Sequence, residues 1–233
     1  MAWQGAVWRG RAWRGTAWHG VAGLGHTTPQ GKARKDITMR VLIELTGTTA
    51  LLMHNVRLAD KADELTKAIA EITAKKTNRT EADDVEIEHL EFMGGLYHDP
   101  VLGPYIPTAN LVRCFENAAK VVRQGTNVVR AFAVTTDRVA LQYDGPRKPT
   151  ELWTNPLYRD RRLVGIQRGK VTRVRPCFRQ WRLAVEAELL EDVMSLDLLT
   201  RIVQSAGRME GLGDARKLGY GRFTAEIIAD DHK

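Results

Sequence analysis

The chain has 233 residues and a mass of 26.2 kDa, enough for one domain with a sizeable core and an appendage. Charge interrupts its apolar runs well short of the roughly 18 residues of a spanning helix, so no membrane partner is expected. Cys114 and Cys177 supply neither a disulfide framework nor a zinc-binding pair, which favours a reducing, cytoplasmic setting with no metal or other cofactor.

The net charge of +7 suggests an anionic partner, but it is unevenly spread. Residues 1 to 38 hold six Lys or Arg against one acid, leaving 29 basic and 27 acidic residues, or +2, for the rest. The first twenty-odd residues repeat a five-residue unit: Ala2-Trp-Gln-Gly-Ala6, Val7-Trp-Arg-Gly-Arg11, Ala12-Trp-Arg-Gly-Thr16 and Ala17-Trp-His-Gly-Val21. A period of five matches neither helix nor strand, and a glycine in every unit raises the entropic cost of ordering, so residues 1 to 38 read as a disordered extension. Two origins stay open: a tail that stacks on single-stranded bases, or translated repetitive DNA ahead of an ancestral start at Met39. The abrupt onset of domain patterning at Met39 favours the second, with residues 39 to 233 as a single domain.

From there Arg40–Thr46 reads as a strand, followed by a turn and short extension through His54, and Asp60–Lys76 as a helix with Leu65, Ile69 and Ile72 at helical spacing. Residues 77 to 107 read as irregular. Seven acids and no Lys or Arg lie between Glu81 and Asp99, in a spacing that fits no metal motif and suits a solvated face or loop. Thr108 is a candidate cap for a helix to about Gln124. Asn127–Val134 and Arg138–Gln142 resemble a hairpin, Leu163–Gln167 and Gln180–Leu190 further strands, Leu196–Met209 a helix capped by Ser195, and Arg222–Ile228 the last strand.

Between that helix and that strand lies Gly211-Leu-Gly-Asp-Ala-Arg-Lys-Leu-Gly-Tyr-Gly-Arg-Phe223. Gly211, Gly213, Gly219 and Gly221 permit positive φ and close approach, while Arg216, Lys217 and Arg222 bring charge. The pattern suits either a phosphate cradle or a tight helix-to-strand turn.

The early strand running into Gly47-Thr-Thr-Ala-Leu-Leu, the Gly103-Pro-Tyr-Ile-Pro-Thr-Ala-Asn-Leu111 segment and the terminal glycine loop together resemble the RAMP superfamily, which includes the RNA-binding backbone and processing subunits of CRISPR systems. The glycine loop is the strong match; the rest is order of elements. The resemblance implies an α+β, ferredoxin-like (RRM-like) antiparallel sheet with helices on one face, plus inserted loops and a basic β-hairpin. It also implies binding of single-stranded RNA or DNA, RNA favoured, along the phosphate backbone. Backbone subunits are usually longer, so the chain reads as a compact, phage-encoded or stand-alone relative.

The residues supply a binding track. Between Asn155 and Arg182 there are nine basic residues against Asp160 alone, with Trp153, Tyr158, Phe178 and Trp181 interleaved as candidates for base stacking. Arg159, Arg161, Arg162, Arg168, Lys170, Arg173, Arg175 and Arg179 are the candidate phosphate contacts here, and those flanking Gly169 suggest a mobile hairpin. Arg216, Lys217, Arg222 and the loop amides would hold the strand from below, with Arg113, Lys120 and Arg123 extending the track along one helical face.

Binding without catalysis is the expectation. RAMP processing enzymes often act through a histidine on the ribose 2′-hydroxyl, which makes His54, and less so His98, the catalytic candidate in an alternative reading as a metal-independent ribonuclease. A third reading is an interaction protomer, oligomer or phage decoy, in which acidic residues 81–99 of one copy meet basic residues 155–182 of the next.

Overall fold

A computed structural model describes residues 38–75, 78–166 and 169–230; the pentapeptide repeats, and so their expected disorder, lie outside these. Strand β1 (Thr38–Gly47) follows from alternation: Val41, Ile43 and Leu45 are buried while Arg40, Glu44 and Thr46 face out. After the short β2 (Leu51–Leu52) and a 3-10 turn at Val56–Ala59 comes α1 (Glu64–Thr73). This helix is shorter than the expected 60–76. Asp60 accepts the Ala62 amide and Asp63 those of Leu65 and Thr66, so both carboxylates favour non-helical backbone and the second caps the helix.

Residues 81–95 depart most from expectation. The acidic segment forms α2 (Glu81–Gly95), started by a capping box in which Thr80 and Asp83 satisfy each other's backbone N–H groups. Its buried face includes Ile87, Phe92 and also Glu91, and a carboxylate among the inward positions masks the apolar period.

Next come β3 (His98–Asp99), β4 (Gly103–Pro107) and α3 (Thr108–Lys120). Thr108 is the first helical residue rather than the cap, and its hydroxyl donates to the Thr136 carbonyl. The hairpin expected over 127–142 is absent. Instead α4 (Gly125–Ala131) buries Gly125, Val128 and Ala131 at three-residue intervals, and β5 (Phe132–Val134) and β6 (Arg138–Ala140) join different sheets. Tertiary burial overrides the strand preference of Val128 and Val129.

Helix α5 (Pro149–Thr154), unanticipated, leads into the hairpin β7 (Arg159–Ile166) and β8 (Gly169–Phe178). Strand β9 (Arg182–Leu190) alternates strictly between exposed and buried through Leu189, and α6 (Leu196–Ser205), capped by Ser195, runs through a π turn at Ala206–Glu210 into the glycine loop and β10 (Phe223–Asp230).

The main sheet has the order β10-β1-β9-β5 with every pair antiparallel. Numbered along the chain, these strands stand fourth, first, third, second, the order of a ferredoxin-like α+β fold. Its inner face, with Ile43, Leu45, Leu183, Val185 and Leu189, shares one core with Leu111 and Phe115 of α3 and Leu199 and Val203 of α6. Two three-stranded sheets, β2-β8-β7 and β3-β4-β6, carry the insertions. The first joins the basic hairpin to β2, and hence to the segment carrying His54.

Candidate nucleic-acid interface

Register decides how the hairpin arginines are displayed. Arg162 lies opposite Arg173 and Asp160 opposite Arg175, so these share one face, while Arg159 and Arg161 lie opposite Pro176 and Val174 on the other. The nine basic residues therefore do not form one track. Three are also answered by carboxylates distant in sequence: Arg161 by Glu88 at 2.7 Å, Arg173 by the buried Glu91, and Arg175 by Asp214 at 2.6 Å, with Arg162 paired to its neighbour Asp160 at 2.5 Å. The Glu88 carboxylate raises the Arg161 pKa further above its ordinary value through a hydrogen bond, and Asp160 does the same for Arg162. Opposite charges expected to meet between copies thus meet within one chain.

The remaining hairpin candidates are placed as follows. Arg159 stacks on Trp153, its guanidinium carbon 4.7 Å from the ring centroid, and Arg179 is exposed and donates to the Leu157 carbonyl. Arg168 lies outside the described residues, and of Lys170 only the backbone, paired with Gly165, is described. The interleaved aromatics belong to the core rather than to a stacking platform. Phe178 and Trp181 are buried, Tyr158 packs on Tyr143 and Phe178, and Trp153 packs on Phe92 and His89. Their spacing is that of inward strand and helix positions, which sequence order does not separate from a surface stripe.

The glycine loop is built as a clasp. Gly211, Gly213, Gly219 and Gly221 have φ of 75°, 75°, 87° and 67°, and a Cβ at Gly213 would collide with the Leu52 carbonyl oxygen. Its backbone is spent on the fold: Leu212 N–H donates to Gly221 O at 2.9 Å, Asp214 N–H to Leu52 O at 2.8 Å, Gly221 N–H to Ala50 O at 2.8 Å, and Arg222 N–H to Thr49 Oγ1 at 2.8 Å. Gly211 and Gly219 donate within the same segment, to Ala206 and Arg216. These six amides are taken up by the fold and are not free to meet a phosphate, and Arg216, Lys217 and Arg222 are the loop's basic side chains.

Of the loop's charged side chains, Asp214 and Arg216 line one of two adjoining cavities that share His54, the two lobes of a groove. The smaller, about 200 Å³, is lined by Met53, His54, Asn110, Arg113, Asp214 and Arg216 among others. The larger, about 780 Å³, lies between α1 and the hairpin and is lined by His54, Ile69, Glu91, Val164, Arg173 and Arg175 among others. His54 belongs to both. Arginines from three segments line the two lobes: Arg113 from α3 and Arg216 from the glycine loop in the smaller, Arg173 and Arg175 from β8 in the larger, with His54 from the turn after β2 shared between them.

The His54 side chain is exposed at the groove, and desolvation by the surrounding protein holds its imidazole below its ordinary pKa. Asp214 opposes this and Arg175 and Arg173 reinforce it, so the ring is neutral at pH 7. Cys114, on the buried face of α3, has its thiol pushed up to about 12 by burial and donates to the Gly211 carbonyl at 3.2 Å, a packing contact that removes it from chemistry.

Not every candidate reaches this groove. Arg113 and Lys120 both pair with Glu116, but Lys120 lines neither lobe. Arg123 follows the end of α3 in a left-handed turn, φ 59°, rather than continuing that helical face. Lys217 is exposed, and Arg222 is half-buried and donates to the Arg216 carbonyl at 3.2 Å, supporting the loop from within. His98 bonds the Arg147 carbonyl at 2.9 Å, away from both lobes. Asn110 and Asp214 carried no signal in the sequence as groove residues; the neighbourhood of Asp214 to a glycine-rich turn was the one available hint. Among the described residues, no group of three or more His, Cys, Asp or Glu is placed to hold a metal ion, and no helix is long and apolar enough to cross a membrane.

No protein-family model and no curated protein matches the chain. Among solved structures, it is similar to a chain in the cryo-EM structure of the type III-B Cmr-beta complex bound to cognate target RNA. That similarity has a TM-score of 0.41 and 14% identity over 82% of this chain and 60% of the other, so this chain spans less than two thirds of that neighbour's length.

Proposed function

We propose that the protein is a RAMP-like binder of single-stranded nucleic acid, RNA in preference to DNA, that grips the phosphate backbone in the two-lobed groove around His54. The observation that carries this reading is the convergence of Arg113, Arg173, Arg175 and Arg216 from separate elements onto one groove. Guanidinium groups suit phosphate because their planar donors match its oxygens in pairs. Contacts of this kind position a strand without reading its sequence.

The test is fluorescence anisotropy of the full chain with single-stranded RNA, single-stranded DNA and duplex at several salt concentrations. Binding is expected to weaken with salt at a log-log slope corresponding to several phosphates, about 0.7 per phosphate for a single strand. Arg113→Ala and Arg216→Ala are each expected to weaken unrelated sequences about equally, by roughly tenfold. Undiminished binding in both variants would place the ligand elsewhere.

The position of His54 favours a second reading, metal-independent ribonuclease activity. A neutral imidazole inside the groove is the form able to accept a proton from a ribose 2′-hydroxyl. That reading requires cleavage of RNA but not of 2′-deoxy analogues in the presence of chelator, and loss of cleavage in His54→Ala. Intact RNA after long incubation removes it.

A further inference from the structure

The hairpin ion pairs are not equivalent. Glu91 is buried and held twice, by Arg173 and by the Val174 amide, whose N–H donates to it at 3.3 Å, so it is fixed in place. Asp214 is different: its side chain retains 32% exposure and stands on a loop rather than on a helix or strand. Its Oδ2 lies 2.6 Å from Arg175 Nε, while its Oδ1 accepts the Ala215 amide at 2.7 Å. Ala215 has φ 53°, a left-handed conformation that a non-glycine residue adopts at a cost. One carboxylate thus pairs with an arginine by charge, without hydrogen-bond geometry at Arg175 Nε, and braces a turn by a hydrogen bond. Asp214 lines one lobe of the groove, Arg175 lines the other, and His54 lines both, so the pair stands where the lobes meet.

We propose that Asp214 is an internal competitor for the groove, its carboxylate occupying Arg175 in the empty protein until a phosphate group of the bound strand takes its place. This rests on the nucleic-acid reading above. An anionic phosphate oxygen can take the place of the single carboxylate oxygen facing Arg175, so the exchange keeps Arg175 compensated throughout. The residue thereby sets a threshold: an isolated phosphate gains little over the carboxylate already present, whereas a strand that also engages Arg113 and Arg216 gains enough to displace it.

The charged groups facing His54 are Asp214, Arg175, Arg173 and Glu91. Replacing Asp214 next to the ring by a strand phosphate also keeps an anion close by.

The experiment measures affinity of the full chain for a labelled single-stranded RNA 20-mer at fixed salt in wild type, Asp214→Asn, Arg175→Ala and the double variant. Asn preserves an oxygen for the Ala215 amide while removing the charge. Asp197→Asn, an exposed α6 carboxylate paired with Arg201 and outside both lobes, controls for the change in net charge. Asp214→Asn is expected to bind about fivefold tighter, Asp197→Asn to change less than twofold, and the gain to vanish in the Arg175→Ala background. These magnitudes follow from a partly exposed ion pair. Circular dichroism and thermal melting accompany every variant. Should Asp214→Asn misfold, Asp214→Ser, which also keeps an oxygen for Ala215, takes its place with the same expectation.

Wild-type binding that neutralisation of Asp214 leaves unchanged or weakens, or a gain that persists without Arg175, overturns the inference alone. Failure of both wild type and Asp214→Asn to bind overturns the nucleic-acid reading and the inference with it.

Discussion

Glu91 shows how a single residue can tie a site to the fold. Glu91 is 4% exposed, and among the described residues its carboxylate is held by Arg173 and the Val174 amide, so removing the arginine leaves a buried charge without its counter-ion. Arg173→Ala is expected to cost roughly 3 kcal/mol of stability in denaturant unfolding, and the double change Glu91→Leu with Arg173→Ala to recover most of it. Gly213→Ala is expected to destabilise by about 2 kcal/mol or more, since it combines a left-handed backbone with a collision against the Leu52 carbonyl. His54 contributes in a pH-dependent way. Its folded pKa lies below the ordinary 6.5, so as pH falls through 6.5 the unfolded chain takes up the proton first and the folded state loses stability until the folded pKa is passed. Comparing unfolding at pH 7.5 and 5.5, wild type is expected to lose more stability than His54→Gln; equal losses would contradict the placement of the ring.

At the scale of elements, α2 carries the acidic residues that pair with the basic hairpin, and its start depends on a few groups. Thr80→Ala removes one half of the capping box and is expected to cost about 1 kcal/mol, read as a lower melting temperature. Asp83 is held down to about 2, first by its hydrogen bond from Lys75 and then by the Thr80 backbone. Its contribution is therefore present above the ordinary 3.8 and lost as pH falls towards about 2, so an Asp83→Asn variant is expected to show a shallower acid-unfolding slope. The same helix shows why some elements were not legible. Charged residues dominate 81–95 and its inward face includes a carboxylate, so no apolar period announces it. In 125–131, β-branched residues argue for strand, and only the burial of Gly125, Val128 and Ala131 against the core selects helix. By contrast β1, β9 and α6 were legible, because strict alternation or helical spacing of apolar residues specified both type and inner face.

For the whole molecule, the open face of the main sheet opposes the groove in character. It presents Glu44, Glu186, Glu188 and Glu226 against Arg40 and Arg182, with Glu44 directly opposite Glu226 across β1 and β10 and Arg40 opposite Glu188 across β1 and β9, and no aromatic side chain among its described outward positions. RNA-binding sheets of the RRM type stack bases on aromatics. This one offers no such platform, and its carboxylates outnumber its arginines. Neutralising Glu186 and Glu226 together is expected to change RNA affinity less than about threefold at physiological salt, where exposed charges are screened within about 8 Å. Removing Arg113 and Arg216 together is expected to cost more than tenfold, measured in the same anisotropy assay.

The amino-acid sequence by itself determined the order of the principal strands, the helices that cover them, the hairpin around Gly169 and the glycine turn before the last strand, because local apolar periodicity and glycine chemistry act within a few residues. The tertiary structure alone decided which charges remain available to a ligand. Glu88, Glu91 and Asp214 reach arginines 73, 82 and 39 positions away or more, and no local pattern encodes such pairings. A basic stretch that looked like one continuous track is divided by strand alternation and partly neutralised from within, and the arginines that line the groove are brought together by contacts between distant segments.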